Sequence, residues 1–106
     1  MVELFELVNN VFRLRTQVVV EGFDDGALLL CLDDRRLIEL NATARDVLAQ
    51  TDGQRSVAQV AAALAEEYQI AEAEALQDTT GLYELLVAQG IVEAVIIPRM
   101  ERKKPK

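Results

Sequence analysis

The hydrophobic pattern changes period once along the chain. Up to residue 40 the apolar residues come in short, β-branched or alternating runs, and from residue 41 they recur at spacings of three and four. Residues 2–12 hold Val2, Leu4, Phe5, Leu7, Val8, Val11 and Phe12 at spacings that favour neither period, because Asn9-Asn10 interrupts them. Phe12 to Val20, with Thr16, Val18, Val19 and Val20, predicts a strand. Gly22 to Gly26, enclosing Asp24-Asp25, predicts a turn. Gly26 to Leu32 and Arg36 to Leu40 then predict two strands joined in a hairpin by Asp33-Asp34-Arg35.

Three helices follow. Asn41 or Thr43 can cap the first, since either side-chain oxygen can accept from a free first-turn amide. Ala44, Val47 and Leu48 share one face, and Asp52-Gly53 supplies a stop. Ser56 followed by Gln59 is a capping box for a second helix that carries Val57, Val60, Ala61, Leu64, Ala65 and Tyr68 on one side. A third helix runs from about Glu72 to Gln89, made apolar by Leu76, Leu82, Tyr83, Leu85, Leu86 and Val87 and ended by Gly90. Gly81 inside it is either tolerated or admits a neighbouring backbone. Ile91 to Ile97 predicts a final strand or extended segment.

This order makes an α+β fold of winged helix-turn-helix type, with an N-terminal three-stranded antiparallel sheet ahead of three helices. The expected boundaries are an N-terminal arm over 1–11, a domain over 12–97 and a basic C-terminal tail over 98–106.

At 106 residues the chain supports one core. Its apolar runs, such as Leu28 to Leu32 and Val18 to Val20, are far below the roughly 20 residues that span a bilayer. Glu3 and Glu6 stand where a secretory signal carries basic residues, and the one cysteine, Cys31, cannot form an internal disulfide. Both features predict a cytoplasmic protein. Through Pro98 there are six basic and seventeen acidic residues, a balance of −11, and five basic residues fill the last eight positions. So acidic a body opposes nucleic-acid binding and argues against a winged-helix DNA-binding regulator.

Catalytic chemistry is sparse. With no histidine, the commonest general base and metal ligand are absent, and one cysteine holds neither zinc nor an iron–sulfur cluster. Cys31 sits in an apolar run and reads as a core residue. Asp24-Asp25, Asp33-Asp34 and Glu66-Glu67 read as turn or solvated carboxylates, and the glycines make no phosphate loop. No cofactor is expected, and an enzyme acting alone is not.

Leu40-Asn41-Ala42-Thr43-Ala44, Asp52-Gly53 closing the same helix, the Val57-led helix ending at Tyr68, Asp78, and Gly90-Ile91-Val92 together resemble the coenzyme PQQ synthesis protein D family, over roughly residues 12–94. The resemblance implies a small non-catalytic domain that binds the leader of a ribosomally made precursor peptide. It also implies presentation of that leader to a modifying enzyme, often a radical S-adenosylmethionine protein. In the family the leader adds to the edge of the third strand, beside the third helix. Carried onto this chain, that site comprises Arg36, Leu37, Ile38, Glu39 and Leu40, faced by Leu76, Thr79, Leu82, Tyr83 and Leu86. Adding a strand to a sheet edge draws affinity from the unpaired backbone groups and selectivity from flanking pockets. Strand alternation assigns Ile38 and Leu40 to the core and Leu37 to the contact face, while Arg35 and Arg36 are candidate partners for leader carboxylates.

Two features depart from the family's PQQ-pathway members: Asp33-Asp34-Arg35 replaces a proline-containing turn, and the C-terminal end from Val95 to Lys106 is longer. The apolar arm is compatible with a swapped homodimer. A structural or oligomerisation subunit that uses this arm as its interface is the remaining rival reading.

Overall fold

The computed structural model describes residues 9–95; the arm before residue 9 and the tail after Val95 lie outside the described residues. The chain runs β1 (Val11–Leu14), β2 (Val18–Phe23), β3 (Gly26–Cys31), β4 (Arg36–Asn41), α1 (Ala42–Ala49), β5 (Asp52–Ser56), α2 (Val57–Tyr68), α3 (Glu72–Ala88) and β6 (Val92–Ala94). The three helices fall where the periodicity places them. The strands form two antiparallel sheets, β2-β3-β4 and β5-β1-β6.

The expected strand from Phe12 to Val20 is therefore two strands in different sheets. The Val18 amide donates to the Arg15 carbonyl at 3.1 Å, closing a turn over Thr16-Gln17 that redirects the chain. A turn without Gly, Pro, Asn or Asp carries little compositional signal. Asp52–Ser56, read as a helix stop and a cap, is also a strand. Val11 pairs with Ser56 and Arg13 with Asp52, with an irregular register between them. Gly53 takes a positive φ of 81°, and the Asp52 carboxylate accepts from the amides of Gln54 at 3.0 Å and Arg55 at 3.1 Å. The stop and the strand thus overlap in the same few residues.

Local chemistry fixes the helix starts. The Asn41 side chain accepts from the Ala44 amide at 2.9 Å, so the last residue of β4 is the cap of α1. The Ser56–Gln59 capping box is complete, with bonds of 3.2 and 2.8 Å. Helix α3 has no side-chain cap, but Glu72 and Glu74 in its first turn oppose the positive end of the helix dipole. A Cβ at Gly81 would meet nothing within 4 Å, so that glycine is merely tolerated.

Tyr83 and Leu86 of α3, Val57 and Val60 of α2, Val47 of α1, Leu29 of β3, and Phe12 and Ile91 form the centre of the core. Each large side chain buried there contributes roughly 1.5–3 kcal/mol of hydrophobic stabilisation. Phe12 stacks on Tyr83 with ring centroids 5.0 Å apart. The buried Tyr83 hydroxyl meets Thr51 Oγ1 at 2.6 Å, and Thr51 in turn donates to the Val47 carbonyl at 2.7 Å. This polar pair is satisfied inside an apolar core.

Arg45 holds the β2-β3-β4 sheet to the helices. Its guanidinium donates to the Phe23 carbonyl and, at 2.8 Å, to the Asp24 carbonyl, both at the β2–β3 turn. It also pairs with Asp46 at 3.0 Å, and Asp46 accepts from the Tyr68 hydroxyl at the end of α2. The Tyr68 hydrogen bond first, and Arg45 after it, hold the Asp46 carboxyl below its usual range. Among the described residues no helix is long and apolar enough to cross a membrane.

Candidate functional site

Strand β4 is an edge of its sheet, and its register against β3 determines which backbone groups it leaves unpaired. Val18 pairs with Cys31, which places Gln17 opposite Leu32, and the Leu32 amide donates to the Gln17 carbonyl at 2.7 Å. In an antiparallel ladder a residue sends its amide and carbonyl to the same side, and successive residues alternate. Leu28 and Leu30 therefore bond toward β2, while Ala27, Leu29 and Cys31 bond toward β4. Their partners there are Leu40, Ile38 and Arg36. The amides and carbonyls of Leu37 and Glu39 consequently point away from the sheet, along the free edge.

Gly26 sets how closely β3 and β4 approach. A Cβ at that position would lie 2.2 Å from the Leu40 carbonyl oxygen, an impossible contact. Side chains on β4 alternate as expected: Leu40 is buried, Ile38 is packed against the core, and Leu37 is 68% exposed.

Helix α3 lies beside this edge. An open depression of about 470 Å³ is lined by Glu39, Leu40 and Asn41 of β4, Thr43 and Ala44 of α1, and Asp78, Leu82 and Leu85 of α3. It adjoins a smaller apolar pit of about 50 Å³, with which it shares Thr43, Asp78 and Leu82. At the other end Arg36 joins strand to helix. Its guanidinium donates to the Gln89 carbonyl at 2.6 Å, to Gln89 Oε1 at 2.7 Å and to the Asp34 carboxylate at 2.7 Å. That hydrogen bond from Arg36 holds the Asp34 carboxyl below its usual range. Asp78, Leu82, Leu85 and Gln89 follow at helical spacing and form one stripe along α3, from the depression to the Arg36 contact.

The residues expected on the helical side divide. Leu82 lies on the groove. Thr79, Tyr83 and Leu86 are core residues only 1–2% exposed, one helical row further in, where they support the groove from beneath. Leu76 packs with Ala61, Ala65 and Ala75 at the α2–α3 contact. Arg36, a candidate for leader carboxylates, is committed to Asp34 and Gln89 because the last carbonyl of α3 lies within reach of its side chain. Asp78, Leu85, Asn41 and Thr43 belong to the groove but were not expected there. Helical spacing puts Leu82 and Leu85 on one face and Tyr83 and Leu86 on the next, and periodicity alone does not tell which face the fold covers.

Among the described residues no cluster of three His, Cys, Asp or Glu side chains could hold a metal ion. The site offers unpaired backbone groups along one wall and apolar side chains along the other, which is the equipment for holding an extended peptide.

The family described as coenzyme PQQ synthesis protein D matches residues 26–92. A search of curated protein sequences found no match. Among solved structures, lasso peptide synthetase B1 complexed with the leader peptide is 30% identical, with a TM-score of 0.69, covering 77% of this chain and 96% of that one. The solution structure of the PqqD truncation of Methylobacterium extorquens PqqCD, a stand-alone recognition element for ribosomally synthesized and post-translationally modified peptides, is 28% identical. Its TM-score is 0.65, with 78% of this chain and 88% of that one covered. TbiB1 in complex with the TbiA(beta) leader peptide shares the fold at 18% identity and a TM-score of 0.71, covering 80% of this chain and 99% of that one.

Proposed function

The chain belongs to the coenzyme PQQ synthesis protein D family, and from that premise we propose that it binds the leader of a ribosomally made precursor peptide and presents it to a modifying enzyme, without catalysing a reaction itself. The observation that carries this reading is the edge of β4, where Leu37 and Glu39 turn their backbone groups outward beside the Leu82–Leu85 face of α3. A leader segment in extended form pairs with that edge and inserts alternate side chains into the groove. Two of the similar structures are complexes with leader peptides, which supports the same reading.

Residues 12–97 act as the recognition unit, flanked by the arm 1–11 and the basic tail 98–106. A radical S-adenosylmethionine protein is the enzyme class that the family resemblance implies. A lone, buried cysteine suits a reducing cytoplasm. The acidic body disfavours the DNA-binding alternative.

The test is titration of the full chain with synthetic leader segments from short open reading frames beside its gene, followed by backbone amide shifts. Saturable binding with shifts over 36–40 and around Leu82 and Leu85 supports the reading. Shifts confined to β2 would move the site to the other edge of the sheet, and binding of duplex DNA instead would replace the reading with that of a regulator.

A further inference from the structure

Building on that leader-binding reading, we infer that the recognised segment carries, on its outward face, a lysine or arginine opposite Glu39 and an apolar residue opposite Leu37, two positions away.

The outer face of β2-β3-β4 is organised in rows across the strands. Val19, Leu30 and Leu37 are directly opposite one another, and so are Glu21, Leu28 and Glu39. Val19, Leu28 and Leu37 are exposed, as are both glutamates. A peptide added at β4 becomes the next strand, and the residue it places opposite each β4 residue lies on the same face of the sheet. The first row is then continued by a side chain that can pack on Leu37, and the second is ended by one facing Glu39.

The electrostatics of the second row are one-sided. Neither Glu21 nor Glu39 forms an ion pair among the described residues, and no outward position on the three strands is basic. Opposite charges directly across a strand pair attract and like charges repel. A leader carboxylate at this position therefore meets a like charge that no ion pair among the described residues offsets, and a lysine or arginine there meets an opposite one. The two-residue spacing follows from the alternation of side chains along the strand.

The experiment is selection of random displayed peptides on the immobilised full-length chain, in parallel on Glu39→Lys and Glu39→Gln. The expected result on the native chain is a basic residue two positions from an apolar one, with Glu39→Lys selecting an acidic residue there and Glu39→Gln losing the preference. In a selected peptide, changing the basic residue to glutamate should weaken binding about fivefold at low salt, an effect that shrinks in about 1 M salt. Because Glu39 is exposed, Glu39→Gln reports even if the charge reversal disturbs the sheet. Peptides that bind and shift the amides of 36–40, but show no charge preference or the same preference on all three proteins, would overturn this inference and leave the leader-binding reading standing. No enrichment, or binding that leaves those amides unshifted, would overturn both.

Discussion

Arg36, the first residue of the edge strand, donates through its guanidinium to the carbonyl of Gln89, the C-cap of α3, at 2.6 Å. The contact places a cation against the negative end of the helix and fixes one end of the groove. Together with the packing of Leu40 and Ile38 on the core that holds Leu82 and Leu86, this contact ties the two walls of the site to each other.

Replacing Arg36 with alanine should speed amide exchange at the C-terminal turn of α3 and weaken leader binding. Arg36→Lys should restore little, because an ammonium cannot span Asp34, Gln89 Oε1 and the Gln89 carbonyl together. Hydrogen exchange over residues 86–90 is the measurement, and unchanged protection in the alanine variant would remove the latch from the account.

Neighbouring prolines should have opposite consequences. The Leu37 amide points off the edge, so Leu37→Pro should keep the fold while abolishing binding, whereas the Ile38 amide faces Leu29, so Ile38→Pro should unfold the sheet. Thermal melts and leader titration of the two variants decide. A Leu37→Pro protein that still binds at native affinity would place the peptide elsewhere.

Adjacent leucines of α3 should separate binding from stability. Leu85 is 53% exposed on the groove, and its truncation to alanine should weaken leader binding with little change in denaturation. Leu86 is 1% exposed, and the same truncation should cost about 2–5 kcal/mol. Urea titrations and affinities measured on both variants test the assignment.

Tyr83 links the core to alkaline stability. Burial pushes its hydroxyl above the usual phenol range, with the Thr51 hydrogen bond acting the other way. For a group raised on folding, the stabilisation is complete below the unfolded value of about 10 and is lost as pH climbs through the folded value. Stability should therefore hold level to about pH 9 and fall above about pH 10, and Tyr83→Phe should soften that fall. At neutral pH the same substitution should cost about 1 kcal/mol for the lost hydrogen bond. Denaturant midpoints across the pH range check both.

Gly81 is a site for improvement. With open space around its Cα and an ordinary helical position, Gly81→Ala should stabilise the protein by about 0.5–1 kcal/mol. A lower melting temperature would mean that this glycine has a packing role.

Where sequence chemistry is local, it was legible. The Ser56–Gln59 box, the Asn41 cap, the Gly90 stop and the β3–β4 hairpin all appear where their residues place them. The second sheet was not legible, because β1, β5 and β6 are short and pair across long separations, and the Thr16-Gln17 turn carries no marker residue. The candidate site divides along the same line. Alternation along a strand distinguishes Leu37 from Ile38 unaided, whereas on α3 the difference between Leu85 and Leu86 depends on where Phe12, Val57 and Ile91 pack.

Cys31 lies at the foot of β3, buried at 2% exposure and overlaid by an Arg36 nitrogen 3.7 Å from its sulfur. As the only thiol in the chain, it is an intrinsic clock for the β3–β4 hairpin. A thiol reagent can reach it only when the core around the hairpin opens, so the labelling rate reports how often the sheet carrying the recognition edge comes apart. Slower labelling when a leader is bound would record, without any engineered probe, the edge being held shut by its own cargo.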